Sequence, residues 1–213
     1  IQQAIGTAIN DYGSNFGWQL MVFPLEDMLL LNVPITGGAS QEQYVMNTIT
    51  GSWAQFQGWN ANCWELWQDK LYFGGNGFVG KVWDTNADNG SAIQGFIIQA
   101  FNSFGEPGLR KRATSMRPVF LTTGTPTIYG NMNWDYNLED NTAALSTTTS
   151  TFGAWDSAIW DTGAWGGGLN ASYSVQSATG AGWVGAPVFK SGTNGLELQL
   201  VSNDISLEVG GYL

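Results

Sequence analysis

DKLYFGGNGFVGKVWDTNADNGSAI, residues Asp69–Ile93, admits three readings, and the choice among them decides the fold. Short apolar runs broken by Gly and Asn suit the hairpins of a repeated β module. The spacing Asp84-x-Asn86-x-Asp88 suits a loop of oxygen ligands for calcium. Trp83-Asp84 at a strand end carries the dipeptide of a WD-type repeat, although the Gly-His part of that signature is absent. The outcome separates a scaffold from a metal-dependent binder or an enzyme.

Outward from this stretch, the strand pattern occurs twice. The first copy reads WQLMVF, a turn at PLED, MLLLNVP, QYVMN, a turn at TITG, and SWAQFQGW. The second reads CWELW, a turn at QD, KLYFGG, FVGKVWD, the loop TNADNG, and SAIQGFIIQAF. Trp18-x-Leu20 matches Trp64-x-Leu66 at an offset of 46, and Asp27-Met28-Leu29-Leu30 matches Asp69-Lys70-Leu71-Tyr72 at 42, the second copy having the shorter first turn. Four strands in that length is the period of a propeller blade. The expected fold is therefore all-β, with two repeated four-stranded antiparallel blade-like units forming part of a β-propeller or a sandwich. A short helix precedes them, with Ile1, Ile5 and Ile9 on one face of residues 1–10.

Past Phe104 the texture changes, so a boundary is expected at 112/113. Residues 1–112 hold the helix and the blades, and 113–213 a second β region. GEPGLRKRATSM reads as a charged connection, and Arg110-Lys111-Arg112 as a solvated loop or a bridge to acidic neighbours. RPVFLTTG, TIYGNMNWDYN, SYSVQS, GAPVFKS, GLELQLVS and ISLEVGGYL read as short strands, with Leu196, Leu198 and Leu200 alternating against polar neighbours. Residues 138–152 form a Thr-rich loop, and Trp155, Trp160 and Trp165 recur at spacing five in Trp-rich turns.

Only 11% of the residues are charged while 14% are aromatic, and 29 are Gly, a turn-rich β composition. The 17 acidic against 7 basic residues give a net charge of −10, which repels nucleic acid. No apolar run is long enough for a membrane-spanning helix, so no membrane partner is expected. No signal-peptide pattern is read, and the helix already under way at Ile1 leads us to expect part of a longer polypeptide. With no histidine there is neither a Ser-His-Asp nor a Cys-His arrangement. Cys63 is expected as a small buried hydrophobe. Carboxylates at Asp135, Glu139, Asp140, Asp156 and Asp161 are the candidates for a glycosidase pair. No cofactor is expected. Calcium at Asp84, Asn86 and Asp88 is the one candidate, set against an Asx-rich hairpin loop because position twelve of the loop is Gly95 instead of Glu.

The run from Tyr44 to Pro118 is similar in texture to one family: MNTITGSW, then W…DKLYFG…DNG, a long strand ending FNSFG, a basic linker and RP. With the later FGAWDSAIWDTGAWGG, it resembles the tail-nozzle and packaged-DNA-stabilisation (head-completion) proteins of short-tailed bacteriophages over about residues 16–213. The resemblance implies a non-enzymatic subunit, made in the host cytoplasm and located in the virion tail. Such subunits assemble as a homo-oligomeric ring with other tail and portal-proximal virion proteins, extend the tail and retain packaged DNA. An acidic lumen would let DNA pass without sequence-specific binding. A tail-associated carbohydrate-binding or adhesin module using Trp155, Trp160 and Trp165 is the alternative, and a glycan hydrolase the third reading.

Overall fold

The computed structural model of the chain describes residues 2–36, 39–140, 147–149 and 168–210. The described part is mostly β strand with one short helix, and the chain divides into two compact units, 1–84 and 85–213. Trp155, Trp160 and Trp165 lie outside the described residues.

In the first unit, helix α1 (Gln2–Tyr12) leads into a four-stranded antiparallel meander. Its strands are β1 (Gln19–Phe23), β2 (Met28–Thr36), β3 (Ser40–Asn47) and β4 (Trp53–Phe56). A three-stranded antiparallel sheet follows: β5 (Cys63–Trp67), β6 (Lys70–Gly74) and β7 (Val79–Lys81). Side chains alternate between sheet faces, so β2 can serve two cores. Leu30 packs with Phe23, Val45, Trp64, Leu71 and Val82, which joins the two sheets. Val33, one phase over, packs with Tyr44 and Ala8 under the helix. The helix turns Ala8 and Tyr12 to the sheet, whereas Ile9, expected on that face, is 55% exposed. Ala8 lets the helix backbone approach where an Ile could not.

The repeat is real in its turns. Asp27 (φ 51°) and Asp69 (φ 60°) are both left-handed and stand immediately before β2 and β6. Asp27 follows a 3₁₀ turn at Pro24–Glu26, while Gln68-Asp69 forms a two-residue hairpin turn with both φ positive. Aspartate tolerates that conformation better than most residues.

The second repeat stops at three strands, which corrects the expectation of two four-stranded units. Trp83 adopts φ 54° and lays its ring against Phe23, Phe56 and Trp59, turning the chain away after a three-residue β7. The strand expected as the fourth, β8 (Ile93–Ile98), pairs antiparallel with a strand near the end of the chain over six residues. The division at 84/85, ahead of the 112/113 expected from texture, follows from that exchange. No described sheet closes on itself.

The second unit continues with β9 (Lys111–Thr122), β10 (Ile128–Trp134), β11 (Thr147–Thr149) and β12 (Asn170–Tyr173). It ends with β13 (Gln176–Ser177), β14 (Ala181–Gly182), β15 (Gly185–Asn194) and β16 (Leu198–Val209). β15 is central to one sheet, with β8 along one edge and β10, then the parallel β11, along the other. β9 is central to the second, with β16 on one edge and β12, β13 and β14 in succession on the other. Ala113, Met116 and Phe120 of β9 meet Met132 of β10 and Phe189 of β15 in the core between them. Residues read as a charged connection, Lys111–Met116, are thus the first half of a central strand. The two C-terminal strands are one, its register shifting between Leu200 and Ser202. That bulge moves the inward phase from Leu198 and Leu200 to Ile205 and Leu207.

A glutamine clamps the two sheets in each unit. Gln19 Nε2 donates to the Trp64 carbonyl at 2.9 Å, and the Trp64 amide donates to Gln19 Oε1 at 2.7 Å. Gln176 Nε2 donates to the Ile128 carbonyl at 2.6 Å, and the Gly130 amide donates to Gln176 Oε1 at 2.7 Å. Gln19→Leu is expected to lower stability in urea by about 2 kcal/mol by stranding both Trp64 backbone groups. Gln19→Glu keeps the acceptor, loses the donor and should also destabilise. An unchanged unfolding midpoint in both variants would remove the clamp from the account.

Candidate functional site

Asp84 closes the first unit, and its carboxylate accepts from the Lys81 ammonium. That bond, and then the charge beside it, draws the Asp84 pKa below its usual value and raises that of Lys81. Asn86 and Asp88 belong to the second unit. The Asn86 carbonyl accepts from the Gly195 amide at 2.8 Å, and Asp88 exchanges backbone bonds with Ser91 at 3.0 and 2.7 Å. Between them Asn89 (φ 46°) and Gly90 (φ 82°) form the Asn-Gly turn of a tight hairpin. Among the described residues, no three carboxylate or Cys side chains gather as a metal-holding group.

Two of the carboxylates singled out for glycosidase chemistry, Asp135 and Asp140, hold structural contacts. Asp135 Oδ1 accepts from the Trp183 and Val184 amides at 2.8 and 3.3 Å, fixing the entry to β15. Asp140 takes the Lys190 ammonium at 2.6 Å. Asp156 and Asp161 lie outside the described residues. Cys63 is exposed, a correction: Trp64 faces the core on β5, so strand alternation turns its neighbour outward.

The basic run behaves differently from a solvated loop. Lys111 is 1% exposed, and its ammonium donates to the carbonyls of Glu106, Leu109 (2.8 Å) and Trp183 (3.2 Å). Three carbonyls match its three donors, so burial needs no carboxylate. Arg110 stacks over Trp183, and Arg117 over Tyr173 while bonding Asp204. Sequence spacing gave no sign that Lys111 alone of the run turns inward.

An open groove of about 540 Å³ lies in the first unit, between α1 and the four-stranded sheet. Gln3, Thr7 and Asp11 line its helix side, and Ile35, Glu42 and Tyr44 its floor. Tyr44 is buried and donates to Glu42 Oε2 at 2.8 Å. Burial, then that bond, then the carboxylate charge push its pKa up to about 12. Residues 1–69 contain no Lys, Arg or His to relieve this negative field. No family model, curated protein or solved structure matches the chain.

Two outcomes follow from these contacts. Stability contributed by the Tyr44 proton is complete below pH 10, where free tyrosine ionises, and is lost as pH rises toward 12. Ultraviolet titration is expected to show one phenol ionising near 12 that vanishes in Tyr44→Phe; a wild type whose tyrosines all ionise around 10 would contradict it. For the Asp84 loop, EDTA is expected to leave Tm unchanged, since backbone bonds and Lys81 already satisfy it. A Tm that climbs on adding calcium would restore the metal reading.

Proposed function

We propose that the chain is a non-enzymatic structural subunit of a phage virion, of the tail-nozzle or head-completion type. It would assemble as a ring with other tail or portal-proximal proteins, lengthen the tail and help retain packaged DNA. The observation that carries this reading is the surface. Leu20, Val22, Ile49, Trp67 and Val79 in the first unit, and Phe96, Tyr173 and Val201 in the second, are large, apolar and at least 49% exposed. Extensive apolar surface on a chain with so few charges suits subunit-to-subunit contact. The sequence resemblance supplies the virion context, and a net charge of −10 suits a wall past which DNA slides without adhering.

The polar side chains add to the case. Asn32, Gln41 and Gln43 are buried and bond one another, Asn32 Nδ2 to Gln41 Oε1 at 3.2 Å and Gln43 Nε2 to Asn32 Oδ1 at 2.8 Å. Like the glutamine clamps, they stiffen a scaffold. The deciding experiment is gold-labelled antibody against this chain on purified particles from cells that produce it. Label at the tail vertex is expected, and particles that carry none would sink the reading.

A further inference from the structure

The edges of the described sheets are not alike. β16 is long, but it carries Asp204 and Glu208 and is broken by two register shifts. β1 is tied to β5 by Gln19, β7 has three residues ending on Lys81, and β4 has four. Charges, bulges and shortness are the usual guards against strand pairing with another chain. β8 has none of them. It is six residues with unbroken register, IQGFII, and its described ladder is to β15 alone. Ile93, Phe96 and Ile97 are 46%, 50% and 43% exposed.

The register shows which groups β15 leaves unbonded. The Gln99 amide donates to the Pro187 carbonyl at 2.9 Å. Backbone bonds alternate along an antiparallel pair, so Ile97, Gly95 and Ile93 bond β15, and Gln94, Phe96 and Ile98 present N–H and C=O to the opposite edge, which no described strand covers. Residues 89–105 form a run of 17 without a charge, in a chain of net charge −10. Two copies of so anionic a chain repel wherever their carboxylates meet, and none stands within this run.

We propose that β8 is a strand-addition site whose occupant is β8 of a second copy, antiparallel about a two-fold axis at Phe96. Phe96 then faces Phe96, and Gln94 faces Ile98 of the other copy. A two-fold contact consumes both open edges and closes at two copies instead of propagating. It cannot be the side-to-side contact of a cyclic ring, so it stands or falls separately from the virion reading.

Sedimentation of the full chain over a concentration series tests it. The wild type is expected to show a monomer–dimer equilibrium, weakened at least about tenfold in Phe96→Lys and in Gln94→Pro, whose N–H bonds nothing in the native ladder. Circular dichroism checks that both variants fold. Cross-linking tests the register without weakening the strand. In a Cys63→Ser background, Phe96→Cys should oxidise readily to a disulfide dimer, because opposed residues of a hydrogen-bonded pair lie about 5.5 Å apart at Cα. Ile97→Cys, which opposes Gly95 of the other copy, should not. A wild type that stays monomeric, variants that dimerise as well as it does, or equal cross-linking at 96 and 97 would overturn the proposal. The first of these would leave the edge to a foreign strand.

Discussion

Gln19 and Gln176 make the same contact in different units, and the layering of each unit depends on it. A primary amide has one donor and one acceptor at the spacing of a peptide group, so it can bond an N–H and a C=O of a strand that its own strand does not adjoin. Gln19 binds both backbone groups of Trp64, and Gln176 binds Gly130 and Ile128. Apolar packing between two sheets resists separation but tolerates sliding. A pair of directional bonds between sheets fixes their offset, and the apolar contacts of Leu30 or Met116 then have one arrangement to satisfy.

The scarcity of charge explains why amides do this work. The described residues form three ion pairs, all partly exposed, and the surface position limits what each contributes. Buried cations are handled without carboxylates, as at Lys111. Aromatic rings fill the remaining space. Trp59 stacks on Phe73 at 5.8 Å and meets Phe56, Trp64 and Trp83 edge-on. Gly80 makes room for that arrangement, since a Cβ there would come within 2.3 Å of the Phe73 ring. At Gly75 the Phe78 ring likewise lies against bare backbone, whereas Gly77 serves a left-handed turn at φ 87°.

Much of the local structure was legible because it is set by neighbours in sequence. Alternation on MLLLNVP and KLYFGG gave strands, and the paired aspartates gave matching turns. What eluded sequence reading is pairing across distance. IQGFII reads equally well as the fourth strand of a blade or as the partner of β15, for its residue types serve either ladder. The choice rests on the length of β7 and the left-handed turn at Trp83. Lys111 carries no local sign of burial because its three acceptors come from Glu106, Leu109 and Trp183, two of them in a loop whose path is a tertiary outcome. Cys63 was misplaced because its residue type outweighed its phase. Of the candidate site, the Asn-Gly turn was readable and the Lys81–Asp84 ion pair was not.

The central place of β9 has a consequence for how the chain comes off the ribosome. All of its ladder partners, β12, β13, β14 and β16, are encoded after residue 169. From the time Thr122 is added until Asn170 follows, a twelve-residue strand has both edges open, and the edge that β16 fills stays open until Val209, in all on the order of ten seconds at ordinary elongation rates. The ladders of the first unit all close within residues 19–81 and can form by then. Synthesis therefore presents the paired strands of the first unit joined to a long unpaired one, and that interval is when the nascent chain has most need of a chaperone.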